Sequence, residues 1–358
     1  MSPASSEKGF ALLLVTFVIA LATILVLGFA EDIQAFQRSS RNYAEQVQAT
    51  LMLKSAVNLG KLLIEIPKPE ETKNEDTLRD FWAAIGSYSS LPLPGMIGEL
   101  RLEIVDEDGK IDLNAVQGFG GLPGGTQPVP PPPPSGGDSG AIPLDNASYW
   151  RNTLKELFTL AGFVRESYTV ESFRTLGNTA YEGGDQVAII SDWMDRDSES
   201  FQLQGFDGSG IEGQSDRAWF YNRPFKSLGE LAAVPGMTLE RVQRIAPFVR
   251  VSQSVGGISN NVNINTAPAE VLIAMGVLPT EVQNILTKRL EAPIRQGDIN
   301  LLIPGNQNLS SRLKAKSSEF SAYARVTLPS RTFWVRSVIA AQQMGAGRRA
   351  IVRSMEFY

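Results

Sequence analysis

The strongest constraint on this chain is an unbroken helical run near its N-terminal end. Residues 10–30 are apolar apart from Thr16, Thr23 and Gly28. At ~1.5 Å per residue they make a helix of roughly 30 Å, the thickness of one hydrocarbon core. The helical pattern then continues past Glu31. Ile33, Phe36, Tyr43, Val47, Leu51, Leu59, Leu62 and Ile66 recur at helical spacing until Pro67 stops the run. The spacing predicts one helix of about 57 residues, half apolar and half amphipathic. A cleavable secretion signal ending at Ala30 is the competing reading, but a signal has an apolar run of about 7–15 residues behind a basic head. Here the only lysine ahead of the run is Lys8, beside Glu7.

Composition narrows the chemistry. The 358 residues are 43% hydrophobic and 20% charged, values of a globular protein with room for two or three domains. There is no cysteine and no histidine. Disulfides, thiolate chemistry, Cys-ligated metals and His-based triads are therefore excluded, along with the commonest transition-metal ligand. The net charge of -5 disfavours a general nucleic-acid binder. SRLK at 311–314 has Ser-x-x-Lys spacing with polar flanks, which carries little weight, and neither a Gly-x-Ser-x-Gly nor a P-loop pattern is present.

After a helix candidate at 77–85, the pattern switches to period two. Leu100, Leu102 and Ile104 alternate with Arg101 and Glu103; DEDG reads as an Asp-Gly turn, and Ile111 and Leu113 resume, which predicts a hairpin. Residues 118–140 form a Pro/Gly tract that reads as a spacer. Helix candidates then follow at 148–161, 170–176, 187–194, 228–233, 239–248, 267–275 and 280–290. Alternation returns at 320–328, turns at Pro329-Ser330, runs through 332–341 and ends in a last strand at Phe357-Tyr358. Two strand regions flank a helical block, so the economical fold is one sheet packed on the long helix with an inserted helical domain.

Two regions of the helical block invite a functional reading. Asp192, Asp195, Asp197, Glu199, Asp207, Glu212 and Asp216 crowd one glycine-containing loop. That composition suits a hard, oxygen-preferring cation such as calcium, and equally a solvated acidic loop. It is not an EF-hand, because Ser200 takes the sixth place and no Glu closes the loop. Residues 227–249 and 265–289 each read as a helix-hairpin-helix, with Ser227, Thr238, Thr266 and Thr280 as cap candidates. Thr238 and Leu278 replace the second glycine of a phosphate-binding turn, and Arg241, Arg244 and Arg250 are offset by Glu230 and Glu240. Packing against protein is favoured over DNA.

Four features together resemble the K-type minor pseudopilins of bacterial type II secretion, relatives of type IV pilins. They are KGF at 8–10, DEDGKIDLNAV at 106–116, SDWMDRD at 191–197 followed by GIEGQSDRAWFYNRPFKSLGELAAVPGM from Gly210, and NVNINTAPAEVLIAM at 261–275. The resemblance implies an α+β fold: a pilin-like long N-terminal helix on an antiparallel sheet, with a large, mainly α-helical insertion containing helix-hairpin-helix (SAM-like) units. The implied segments are a leader at 1–9, a transmembrane and filament-core helix at 10–30, pilin-like helix and first strands at 31–116, a linker at 117–143, helical insertion at 144–255, a second hairpin unit at 256–319 and C-terminal strands at 320–358.

It further implies cleavage between Gly9 and Phe10 by a prepilin peptidase, usually followed by N-methylation. Leu14 would then be the fifth mature residue, where ordinary pilins carry Glu; a carboxylate there needs a neighbour's ammonium, so its absence suits a filament tip. Calcium is implied near the acidic loop, with Asp195, Asp197, Glu212 and Asp216 as candidate ligands, although the family's tighter GAED run stands here as GIEG at 210–213. Implied partners are the I-, J- and H-type minor pseudopilins, the major pseudopilin and the inner-membrane assembly platform, with no nucleic acid. The implied location is the bacterial inner membrane, single-pass, with a short cytoplasmic N-terminus and a periplasmic bulk. The alternative is a membrane-tethered helix-hairpin-helix protein of a DNA-uptake system.

Overall fold

The computed structural model describes residues 6–88, 90–91, 97–117, 146–167, 179–214, 220–252, 261–344 and 347–358. The helix candidate at 170–176, the Pro/Gly tract at 118–140 and Asp216 lie outside these residues. In chain order the described elements are α1 (Ser6–Glu65), α2 (Phe81–Ala84), β1 (Glu99–Asp106), β2 (Ile111–Asp112), α3 (Asn146–Leu160), β3 (Glu166–Ser167), β4 (Thr179–Ala180) and α4 (Gly183–Met194). There follow α5 (Leu239–Ile245), β5 (Val249–Arg250), β6 (Val262–Asn263), α6 (Ala269–Ala274), α7 (Pro279–Glu291), α8 (Ile299–Leu302) and α9 (Gln307–Ser310). The chain closes with β7 (Leu313–Lys314), β8 (Glu319–Thr327), β9 (Thr332–Met344) and β10 (Gly347–Phe357).

The long helix is a single piece, as the periodicity requires. Its apolar half is exposed throughout: the large side chains described from Phe10 to Phe29 are 50% to 71% accessible. The amphipathic half packs on a four-stranded antiparallel sheet of order β1-β8-β9-β10. Glu99 to Asp106 lie opposite Thr327 to Phe320, and Glu319 to Thr327 lie opposite Ala340 to Thr332. Leu100, Leu102 and Ile104 point inward with Phe320, Ala322, Ala324 and Val326, the period-two set expected from sequence.

The face of α1 that meets the sheet is not the stripe that the spacing picks out. Ala49, Met52, Leu53, Ala56, Val57 and Ile64 are buried, whereas Ile33, Phe36, Tyr43, Val47, Leu51, Leu62 and Ile66 are exposed. At ~100° per residue the two sets lie about half a turn apart. Small side chains at Ala49 and Ala56 let the sheet come close, and the bulkier stripe is left outward. The helix therefore carries two apolar faces, and this fold uses one.

DEDG does not close a hairpin. β1 pairs with β8, more than two hundred residues on, and β2 pairs in parallel with β5. Between β1 and β2, Glu107–Gly109 forms a 3-10 turn, with the Asp106 side chain accepting from the Asp108 N–H at 2.9 Å. The chain thus crosses there from the sheet into the second core, formed by α3, α4 and the segments around α5 to α9. That core includes Trp150, Leu154, Phe158, Ile189, Ile190, Trp193, Leu272 and Ile285, each large buried side chain contributing roughly 1.5–3 kcal/mol.

The first hairpin unit opens with a 3-10 segment, Leu228–Ala233, rather than an α-helix, and Ser227 makes no side-chain cap. Thr238 does cap α5, accepting from the Arg241 N–H at 3.2 Å. In the second unit the cap position before α6 is Pro268, and the Thr266 hydroxyl donates to Asp106 instead.

Candidate functional site

The acidic loop closes over the end of α4. Asp192 and Asp195 stand three residues apart at the end of this helix, on one face. Asp192 is fully buried and fixes the returning loop: its Oδ1 accepts from the Phe201 N–H at 2.6 Å, and its Oδ2 accepts from the N–H groups of Ile211 at 2.6 Å and Glu212 at 2.9 Å. Gly210 is required by this closure, since a Cβ there would sit 2.2 Å from Asp192 Oδ2. Gly184 and Gly208 permit a second close approach, with a Cβ on Gly184 placed 1.8 Å from the Asp207 carbonyl.

The closure carries Glu212, 1% exposed, to the side of Asp195. One oxygen from each of Asp192, Asp195 and Glu212 lies within 4.8 Å of the others. Asp195 Oδ1 is buried without a hydrogen bond. Burial, followed by the charges of Asp197, Asp192 and Glu212, pushes the Asp195 carboxyl up to about 7, and nearby Arg151 does not offset them. Burial also raises Asp192, opposed by its three N–H donors. Of the four candidate ligands read from sequence, the structure brings Asp195 and Glu212 together. Asp197 is exposed beside them and accepts from the Glu199 N–H at 2.9 Å. The member missing from that set is Asp192; its i, i+3 spacing from Asp195 on a predicted helix was the available signal.

A second cluster, at the crossing between the two cores, was missed altogether. Asp108 is fully buried and pairs with Arg250, and with Lys314 Nζ at 2.6 Å; its Oδ2 also accepts from the Ser318 N–H at 2.6 Å. Arg250 reaches Glu319 at 3.1 Å. Burial alone would raise the Asp108 carboxyl, but Arg250 and Lys314 outweigh it and hold it low. Asp106 Oδ2 accepts from Ser317 Oγ at 2.5 Å, Thr266 Oγ1 at 2.6 Å and Asn263 Nδ2 at 3.0 Å. Burial and the charge of Asp108 push Asp106 up to about 6. Asp76 extends the cluster, held low by Arg348 and Lys68 against its burial. These groups come from the end of β1 and the turn after it, from β5, β6, β7 and the approach to β8, and from residues 68–76 and β10, so they fasten the helical block to the sheet.

The hairpin arginines are engaged by protein. Arg241 is 4% exposed and donates to the carbonyls of Tyr181 at 2.6 Å and Val164 at 2.5 Å. Arg244 donates to the Ala161 carbonyl and pairs with Glu240, and Arg250 lies in the buried cluster. Gly236, at φ +81°, faces Tyr181 and Gln186. At the other end of the molecule α1 passes through Gly9 and Phe10 as regular helix, with Leu14 exposed in its apolar half.

No family model matches the chain. It is 22% identical over 285 residues to type II secretion system protein K of Klebsiella pneumoniae, covering 79% of this chain and 74% of that protein. Its fold is similar to a chain in the crystal structure of the GspK-GspI-GspJ complex from the enterotoxigenic Escherichia coli type 2 secretion system, with a TM-score of 0.56 and 17% identity over 89% of this chain and 99% of that one. The order of elements described above agrees with that fold, and the chain is similar in sequence to a type II secretion system protein K.

Proposed function

We propose that this chain is a non-enzymatic tip subunit of the type II secretion pseudopilus, nucleating or capping its assembly for protein export across the outer membrane. The observation that carries the reading is the second apolar face of α1. Every described large apolar side chain at 10–29 is exposed, and Ile33, Phe36, Tyr43, Val47, Leu51, Leu62 and Ile66 continue as an outward stripe that no described part of this chain covers. A stripe of that length marks an interaction surface. Its lower half suits hydrocarbon and then a filament core, and its upper half suits the helices of the I-, J- and H-type minor pseudopilins and the major pseudopilin. Leu14 supports the tip position, since it demands no ammonium from a subunit ahead. Prepilin peptidase would release Phe10 as the mature N-terminus, the assembly platform would receive the subunit at the inner membrane, and the folded bulk would lie in the periplasm.

Calcium belongs to the same reading. Three clustered carboxylates, one with an orphaned buried oxygen, fit a hard cation and supply no soft ligand. Asp192, Asp195 and Glu212 would hold it, and the ion would neutralise their mutual repulsion and lock the loop onto α4.

Mass spectrometry of the membrane-fraction protein tests the reading. A chain beginning at Phe10 is expected; one beginning at Glu31 overturns it. The DNA-uptake alternative predicts a salt-sensitive gel shift by the full chain, and the engaged hairpin arginines predict none.

A further inference from the structure

The sheet has one face against α1; on the other, Glu319 and Ser321 are buried, but among the described residues the part around Arg101 and Arg325 is accessible, and that part is unusual in its charge arrangement. Arg101 on β1 lies directly opposite Arg325 on β8. Like charges placed directly across two strands destabilise a sheet. No described carboxylate is ion-paired with either guanidinium; Arg325 lies instead 5.2 Å over the Trp334 ring. By contrast Arg336, in the next row, is matched with Glu356 at 4.0 Å. Trp334, 47% exposed, exchanges backbone hydrogen bonds with Tyr358, so the row Arg101, Arg325, Trp334 crosses β1, β8 and β9 and reaches the residue just past β10. Shallow depressions of about 200 and 480 Å³ flank Trp334, bounded by Tyr323 and Glu103.

We propose that this row is a docking site for an acidic, apolar-bearing segment of a protein partner: a carboxylate seated between Arg101 and Arg325, with a neighbouring apolar side chain on Trp334 and Tyr358. Charge complementarity selects the occupant: Glu99 and Glu103 flank Arg101 on this face, yet neither they nor any other described carboxylate pairs with Arg101 or Arg325, and an incoming carboxylate can pair with both. Tyr, Trp and Arg are also the residues that dominate protein–protein hot spots. A lipid headgroup offers the same anion, but the row lies too far from the bilayer. β1 packs on α1 around residues 49–64, so about twenty helical residues, roughly 30 Å, separate it from Ala30. The site does not depend on the tip position of the subunit.

The test uses the full chain in nanodiscs of neutral lipid. A fluorescent ten-residue peptide alternating Asp or Glu with Leu and Phe is titrated by anisotropy, beside its Asn/Gln counterpart and phosphatidylglycerol vesicles. The acidic peptide is expected to bind with strong salt dependence. Arg101→Gln with Arg325→Gln, and separately Trp334→Ala, should weaken it at least tenfold, whereas Arg295→Gln on the helical block should not. Thermal melting supplies an independent readout: Arg101→Gln alone should raise the midpoint slightly, since it removes the repulsion, while it lowers binding. Equal binding of the amide peptide, preference for the vesicles, no binding at millimolar peptide, or unchanged affinity in the double variant would each overturn the proposal.

Discussion

Two acidic clusters in this molecule are built from the same residue types and differ in what the fold brings to them. At the crossing between the cores, Asp108 is surrounded by Arg250 and Lys314, and its carboxyl is held low despite full burial. Over α4, Asp195 faces Asp192, Asp197 and Glu212, and its carboxyl is pushed up to about 7. The first cluster is neutralised by its own chain and needs nothing else. The second is left with excess negative charge, which an external cation can neutralise. Acidic residues are therefore not one signal: what they do depends on whether the fold delivers a cation to them.

The largest effect should come from breaking the self-neutralised cluster. Arg250→Met leaves Asp108 and Glu319 buried without their guanidinium and should cost about 3–5 kcal/mol, read from urea unfolding of the full chain. Asp108→Leu added to it should recover part of that loss, because removing both charges abolishes the uncompensated burial. Failure of the single variant to destabilise would remove the distinction between the clusters.

Calcium should act on the other cluster alone. At one hundred times its dissociation constant it should stabilise the chain by about 2.7 kcal/mol, seen as a higher melting midpoint that chelator reverses. Asp195→Asn should abolish that shift without lowering the stability of the calcium-free protein. An unchanged midpoint in the wild type counts against the site. Gly210→Ala, which drives a Cβ against Asp192, should cost about 1–3 kcal/mol and weaken the calcium response with it.

The pH dependence tests the same cluster without a variant. Asp195 titrates near 7 when folded against an ordinary value of 3.8. The folded state therefore holds the proton more tightly, and this contribution is complete below pH 3.8 and is lost as pH rises through about 7. The calcium-free protein should lose stability across that window, and the calcium-induced shift in midpoint should be larger at pH 8 than at pH 6. A shift that shrinks with rising pH would mean that Asp195 is not a ligand.

Much of the architecture was legible because it is written in local periodicity. The strands at the C-terminal end declare themselves by alternation from Phe320 to Val326, and the long helix by its apolar recurrence up to Pro67. The face of α1 that meets the sheet was not legible. Large side chains dominate a periodicity count, yet Ala49 and Ala56 decide where a sheet can approach. Asp192 was visible as an acidic residue but not as the anchor of the loop, since its partners Phe201, Ile211 and Glu212 are backbone donors that no residue type announces.

The sequence by itself determined a membrane-length apolar helix continuous with a packed one, a period-two sheet split around a helical block, and a chemistry without thiols or imidazoles. Each depends on residue type or on spacings of a few residues, which a linear reading contains. Tertiary structure alone decided that DEDG is a fastening point. Asp108 meets Arg250 across 142 residues and Lys314 across 206. Whether a carboxylate is a turn former, a salt-bridge partner or a metal ligand is settled by the cations within a few ångströms of it, and only the folded chain sets those distances.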